Sequence, residues 1–146
     1  MADALTTLKT YPRATLNAAP TPLMRADRLS DALGIELWLK RDDLTSLGFG
    51  GNKIRQLEYY LGDALQKGAD TILITGAVQS NYVRCAAAAA AKFGMGAILQ
   101  LEERVPKTDP LYRQSGNVLL DQLLGAELLS FLPWNAIASL RSSACA

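Results

Sequence analysis

Two kinds of apolar pattern alternate along the chain, and this alternation constrains the fold more than any other feature. Short runs that are rich in apolar residues have the length of strands, and they cover residues 71–75, 97–101 and 127–131. Amphipathic stretches have the three- and four-residue spacing of helices, and they cover residues 53–67, 80–94 and 117–124. Six consecutive alanines, Ala86–Ala91, give the second helix a smooth face for close packing. The order predicts an α/β fold in which a mostly parallel sheet carries helices on both faces.

The first 47 residues follow a different pattern. Residues 1–34 predict an irregular segment with one short helix, because Pro20 and Pro22 push the residues before them out of the α conformation. The alternation of apolar residues in Ile35–Lys40 predicts a strand, followed by a polar, glycine-rich loop to Gly51. We therefore expect residues 35–40 to be the first of four strands in the parallel sheet.

The composition limits the chemistry that the chain can perform. The 146 residues contain no histidine, which removes Ser-His-Asp and Cys-His catalysis and the commonest metal ligand. Cys85 and Cys145 have no metal-binding spacing, so we expect no metal site, no disulfide framework and a cytoplasmic location. A net charge of +1 argues against nucleic-acid binding, and no apolar run is long enough to predict a membrane span. Lysine, carboxylates, hydroxyls or a cofactor must supply any chemistry.

Lys53 lies in the first of two polar loops that follow predicted strands, where ligands bind in parallel α/β sheets. Asn52 is the predicted N-cap of the next helix, so Lys53 occupies the first helical position. Helix dipoles disfavour a cation there and favour a neutral, nucleophilic amine, as Schiff-base chemistry requires. The alternative is a surface lysine that follows a Gly-Gly turn.

The second polar loop ends at Ser80 and Asn81, where the alanine-rich helix begins. Free N–H groups and two short polar side chains at a helix N-terminus can bind a carboxylate or a phosphate. The alternative is that Ser80 only caps the helix.

Several short motifs occur together in one order along the chain. They are Thr21-Pro22-Leu23, Lys40-Arg41-Asp42-Asp43-Leu44, Gly50-Gly51-Asn52-Lys53, Gly68-Ala69-Asp70-Thr71, Gly76-Ala77-Val78-Gln79-Ser80-Asn81, Gly116-Asn117 and Leu124-Gly125-Ala126. Over residues 11–130 this set resembles the N-terminal part of the D-cysteine desulfhydrase / 1-aminocyclopropane-1-carboxylate deaminase family of pyridoxal-phosphate enzymes. The resemblance implies a tryptophan-synthase-β-like fold (fold type II). It also implies that residues 1–47 belong to a larger cofactor domain and residues 48–132 to a small α/β domain.

The resemblance implies a role for each polar residue of the two loops. Lys53 is the lysine that binds pyridoxal phosphate covalently and moves protons at the substrate α-carbon. Asn52 helps to seat the cofactor, and Asn81 hydrogen-bonds the pyridine 3-oxygen. Ser80 assists substrate activation and binds the substrate carboxylate, together with Asn81. Tyr82 stands where the family has histidine or glutamine, which makes it a substrate-binding position that leaves the choice of substrate open.

The resemblance also implies the reaction. Family members perform β-elimination from D-cysteine, giving pyruvate, sulfide and ammonia, or they open the cyclopropane ring of the deaminase substrate. The expected partners are a small amino acid and, for a full-length enzyme, a second copy in a homodimer. Family enzymes are much longer, and residues 133–146 no longer follow the family pattern. We therefore expect an incomplete N-terminal fragment with a divergent tail, and the alternative function is an inactive, aggregation-prone fragment.

Overall fold

The computed structural model describes residues 3–107 and 109–133. In its N-terminal part, two short strands form an antiparallel ribbon. The elements of this part are α1 (Ala4–Leu8), β1 (Leu23–Arg25), α2 (Asp27–Leu33) and β2 (Trp38–Lys40). β1 and β2 pair antiparallel, with Met24 opposite Leu39. The expected single helix is thus two helices and a strand. The expectation that residues 35–40 join the parallel sheet is wrong, because residues 38–40 pair with β1 in a separate two-stranded antiparallel sheet. A three-residue strand is too short to show an alternating pattern in the sequence.

Two short 3-10 helices, Asp42–Leu44 and Leu47–Phe49, lie in the loop after β2, and the remaining elements are the strands of the parallel sheet and their helices. They are α3 (Lys53–Gln66), β3 (Thr71–Ala77), α4 (Asn81–Phe93), β4 (Gly96–Glu103), α5 (Pro110–Gln114), α6 (Gly116–Leu123) and β5 (Glu127–Pro133). The strand order is β3-β4-β5, and both pairs are parallel. These bounds confirm the six predicted elements of this part to within two residues. The short helix α5 was not predicted; Asp109 caps it by accepting the Tyr112 N–H at 2.8 Å.

The three strands follow one another across the sheet, and this order decides where the helices lie. Right-handed crossovers that progress in one direction place both connecting helices on the same face. α4 packs against β3, β4 and α6, and Leu99 and Leu101 fill this side. On the opposite face Leu73 is 69% exposed. The expected α/β fold with a parallel sheet is confirmed, but α4 and α6, the helices that pack on the sheet, share one face, whereas helices on both faces were expected.

The core centres on the alanines of α4. Ala86, Ala89 and Ala90 are fully buried, and they allow Leu57 and Leu61 of α3 to approach closely. Small side chains at a helix crossing bring the two backbones together, so α3 and α4 pack closely.

Glu58 of α3 ties the N-terminal segment to this core. Its buried carboxylate accepts the backbone N–H groups of Leu16 at 3.2 Å and Asn17 at 3.1 Å, and the Arg13 Nε–H at 2.8 Å. A carboxylate that receives charged and backbone donors together is a strong local anchor.

Two further expectations concern the chain as a whole. In the ranges that the structure describes, no helix is both long and apolar enough to cross a bilayer. The predicted divergent tail lies outside the described residues, except for Pro133. The division between residues 47 and 48 stays a prediction.

Candidate functional site

The loop before α3 lies directly against α4, and this contact brings the two predicted polar loops together. The Arg84 Nη2–H donates to the Gly50 carbonyl at 2.9 Å. A Cβ built on Gly48 would lie 2.6 Å from the Ala88 Cβ, so only glycine allows this approach. A Cβ built on Gly51 would lie 3.5 Å from the Asn81 Nδ2. The loop that leads to Lys53 therefore runs beside the first residue of α4.

Thr45 holds the same loop from the other side. Its buried hydroxyl accepts the Gly51 N–H at 2.7 Å and lies 2.8 Å from the Asp42 carbonyl, to which it can donate. Gly50 has a φ of +74°, and a Cβ there would lie 2.3 Å from the Thr45 carbonyl oxygen. Backbone contacts on both sides thus determine the conformation of the loop.

Asp42 connects this loop to α3. The Arg55 Nε–H donates to its carboxylate at 2.9 Å, and the Arg55 Nη2–H donates to the Thr21 hydroxyl at 2.9 Å. Hydrogen bonding to Arg55 is the main reason that the pKa of Asp42 lies below its usual value. The charge cluster at residues 40–43 therefore stabilises the loop by linking it, through Asp42, to α3.

Gln79 links the second loop to α6. Its amide donates to the carbonyls of Tyr112 at 2.6 Å and Ser115 at 2.9 Å, and its side-chain oxygen accepts the Asn117 N–H at 2.8 Å. In return, the Asn117 side chain donates to the Gln79 carbonyl at 2.8 Å. Because these bonds occupy its donors and acceptors, Gln79 has a structural role and holds the second loop to α6.

Ser80 occupies the N-cap position of α4, in agreement with the capping interpretation. Its hydroxyl oxygen accepts the Val83 N–H at 3.4 Å. Gly76 lies beneath it, and a Cβ at that position would lie 2.6 Å from the Val83 Cγ2. The missing side chain allows α4 to begin close to the end of β3. The cap uses the oxygen as an acceptor and leaves the hydroxyl proton for another partner.

Three polar side chains at this edge have no partner among the described residues. The side chains of Asn52, Lys53 and Asn81 make no hydrogen bond or ion pair within residues 3–107 and 109–133. Lys53 is half-buried, and the two asparagines are exposed. The side chain of Asn52 does not make the expected capping hydrogen bond, because its backbone is already helical (φ −60°, ψ −19°). The site therefore combines a rigid framework with an amine and two amides that are available to a ligand.

Tyr82 is half-buried against α3, one residue beyond Asn81. Burial raises the pKa of its phenol above 10.0, and the neighbouring Tyr60 acts in the same direction, while a hydrogen bond with Gln56 opposes them. Its predicted role in binding substrate stays a prediction.

These residues fit pyridoxal phosphate. An unpaired amine can react with the aldehyde of the cofactor, and the two free amides can hydrogen-bond its ring substituents. Within the described residues, no group of three or more His, Cys, Asp or Glu side chains gathers as a metal site.

Sequence reasoning missed three residues of this arrangement: Thr45, Arg84 and Asp121. Arg84 and Asp121 each leave a signal in the sequence. Arg84 places a cation in the first turn of α4, where the helix dipole disfavours it. Asp121 interrupts the apolar pattern of α6, and burial raises its pKa to about 7 while the attraction of Arg84 acts in the opposite direction. Thr45 carries no such signal, because a threonine in a loop is ordinary.

The sequence matches the profile of the pyridoxal-phosphate dependent enzymes over residues 14–140. It is 47% identical over 121 residues to the D-cysteine desulfhydrase of Salmonella paratyphi B, and equally to that of Salmonella gallinarum. These matches cover 83% of this chain and 37% of each relative. The chain thus spans little more than a third of the length of these curated relatives.

Two solved structures share the fold. One is the crystal structure of an ACC deaminase homologue, with 43% sequence identity and a TM-score of 0.75 over 88% of this chain and 38% of that chain. The other is a fungal L-serine ammonia-lyase from Rhizomucor miehei, with 22% identity and a TM-score of 0.59 over 77% of this chain and 33% of that chain. At that identity the second match supports the fold alone. Both agree with the expected fold type II architecture.

Proposed function

Because the chain belongs to the family of pyridoxal-phosphate dependent enzymes, we propose that Lys53 is the residue to which pyridoxal phosphate binds covalently. The observation that carries this proposal is the amine of Lys53, which is unpaired among the described residues. It stands at the N-terminus of α3, next to a loop that Thr45 and Arg84 hold in place. A preorganised loop presents the amine at little entropic cost.

The other polar residues take roles that their geometry supports. Asn52 and Asn81 offer free amides to the cofactor, with Asn81 assigned to the pyridine 3-oxygen. Ser80 offers its hydroxyl proton and the N-terminus of α4 to the substrate carboxylate, and Tyr82 flanks the substrate. When bound, pyridoxal phosphate supplies the electron sink for the bonds that break at the substrate α-carbon. The Lys53 amine moves the proton at that carbon.

The proposed reaction is β-elimination from D-cysteine. D-Cysteine and water give pyruvate, sulfide and ammonia, and the 47% identity to D-cysteine desulfhydrases supports this choice. The alternative is 1-aminocyclopropane-1-carboxylate deamination, which the 43% identity to an ACC deaminase homologue supports. A third possibility is that this chain by itself is catalytically inactive and prone to aggregation. We further propose that a full-length enzyme of this kind is a cytoplasmic homodimer.

Titration of the purified chain with pyridoxal phosphate tests the assignment of Lys53. We expect a visible absorbance band from the lysine-bound cofactor, and borohydride reduction followed by peptide mapping should place the cofactor on Lys53. Lys53→Ala removes the band. Lys67→Ala is the matched control, because this exposed lysine lies at the other end of α3 and its loss should leave the band unchanged. Cofactor attached to another lysine would overturn the assignment.

Product analysis separates the candidate functions. Sulfide and pyruvate released from D-cysteine support the desulfhydrase assignment, and ammonia released only from 1-aminocyclopropane-1-carboxylate supports the deaminase. A chain that binds the cofactor on Lys53 without turnover of either substrate supports the inactive alternative. Failure to bind at saturating cofactor contradicts the proposed role of Lys53.

A further inference from the structure

Arg84 lies where local electrostatics disfavour it, so its presence calls for a tertiary explanation. It belongs to the first turn of α4, where the unpaired N–H groups already carry partial positive charge. Its guanidinium reaches two other elements of the site. The Nη2–H donates to the Gly50 carbonyl at 2.9 Å, and the Nη1–H donates to the Asn117 Oδ1 at 2.8 Å. One side chain thus joins the loop before α3 to the start of α6.

The Gly50 carbonyl depends on this contact. Gly50 is buried, and its only other donor among the described residues is the Cys85 Sγ at 3.5 Å. A thiol is a weak donor, whereas a guanidinium forms a charge-assisted hydrogen bond. Loss of Arg84 would therefore leave a buried carbonyl poorly satisfied, and the loop would have reason to move.

Asp121 of α6 interacts with the guanidinium through charge alone. This α6 carboxylate is 0% exposed, and neither of its oxygens accepts a hydrogen bond from the described part of the chain. Arg84 is the cation whose attraction acts on it. This attraction is smaller than the effect of burial, which raises the pKa of Asp121, and no hydrogen bond joins the two side chains. The Arg84 side chain is thus held by its two hydrogen bonds, one to the loop and one to Asn117 of α6.

The loop that Arg84 holds leads directly into the turn that presents Lys53. The Gly51 carbonyl accepts the Ile54 N–H at 3.3 Å, so the position of the loop sets the start of α3. We propose that Arg84, through its bonds to the Gly50 carbonyl and to Asn117 of α6, is a positioning residue that fixes Lys53 for reaction with an aldehyde cofactor. The cofactor part of this inference rests on the proposed function, while the fixing of the loop does not.

Hydrogen–deuterium exchange of the cofactor-free chain tests the fixing of the loop. The double variant Arg84→Met/Asp121→Asn removes the guanidinium and the buried carboxyl group together, whereas Arg84→Lys keeps the positive charge on a single amine. Arg28→Met, on exposed α2, is the matched control. We expect the amides of residues 50–55 in the double variant to exchange roughly 10- to 100-fold faster, as the loss of a charge-assisted hydrogen bond implies. Peptides of β3 and the second half of α4 keep their wild-type rates.

The fraction of bound pyridoxal phosphate that is attached covalently provides the second measurement. It should fall by about tenfold or more in the double variant, recover in part in Arg84→Lys, and stay at the wild-type value in Arg28→Met. Unchanged exchange in residues 50–55 of a folded double variant overturns the inference. So does faster exchange in every protected peptide, which reports global destabilisation instead. If the loop amides of the double variant exchange faster but the covalently attached fraction of the cofactor is unchanged, the claim that Arg84 positions Lys53 is wrong. A wild-type chain that binds no cofactor on Lys53 contradicts the proposed function, while the exchange result still decides whether Arg84 fixes the loop.

Discussion

Replacing Asp121 by asparagine should remove a pH dependence of stability that the wild-type chain shows between about pH 4 and 7. Asp121 is fully buried in α6, and its pKa in the folded chain is about 7 against 3.8 for a free aspartate. Between these values the folded chain keeps a proton on Asp121 that the unfolded chain has released. Raising the pH through this window therefore favours unfolding. The stabilisation is complete below about pH 4 and absent above about pH 7.

The size of the effect follows from the two pKa values. Each pH unit inside the window changes the free energy of unfolding by up to about 1.4 kcal/mol, which amounts to roughly 4 kcal/mol over the window. Asparagine has nearly the same shape and does not titrate. Asp42 and Asp43 have lowered pKa values because they accept hydrogen bonds from Arg55 and Arg41, so their stabilisation is lost only as the pH falls below about 4. Their contribution is present in both proteins and cancels in the difference.

Urea unfolding followed by circular dichroism at unit intervals from about pH 4 to 8 measures this difference. The free energy of unfolding of Asp121→Asn minus that of wild type should rise by up to roughly 4 kcal/mol across the series. Asp63→Asn is the control, because Asp63 is exposed and its one ion pair within the described ranges is with Lys67 at 2.7 Å. Its effect should stay within about 1 kcal/mol at every pH. Parallel pH profiles for wild type and Asp121→Asn would refute the reasoning.

Three further substitutions test the loop, the anchor and the core by urea unfolding. Gly50→Ala should cost at least about 3 kcal/mol, because the new Cβ meets a backbone oxygen at 2.3 Å; Gly68→Ala, with a similar φ and open space, should cost only about 1 kcal/mol. Glu58→Gln should cost roughly 2 to 3 kcal/mol, because the carboxylate accepts two backbone N–H groups and a guanidinium; a cost below about 0.5 kcal/mol would contradict its role as an anchor. Ala89→Leu should cost about 1 to 3 kcal/mol by overpacking, whereas exposed Ala91→Leu should change stability by less than about 0.5 kcal/mol. Equal costs in either matched pair would contradict the packing argument.

The accuracy of the sequence predictions changes along the chain with the range of the interactions. From residue 53 onward, helix and strand types follow from local periodicity, and the predicted elements agree with the structure. Before residue 48 the strand pairing depends on β1, a partner of three residues whose sequence shows no pattern of its own. The sequence also did not predict which face of the sheet carries the helices, because this depends on the strand order β3-β4-β5.

The sequence by itself determined which residue types reach the candidate site. Strands, helices and their caps are set by interactions between near neighbours, so the pattern was sufficient to place Lys53, Ser80 and Asn81 at the starts of two helices beyond a strand. The ordered motifs then pointed to a pyridoxal-phosphate enzyme.

Only the tertiary structure decided which polar groups are engaged and which are free. Gln79 and Arg84 are polar residues of the same region as Asn81, yet the first two bond to partners more than thirty residues away. Asn81 has no partner in the described ranges. Burial of Asp121 likewise depends on how α6 packs against α4. Such contacts join residues that are distant in the chain, and a periodicity measured along the sequence contains no record of them.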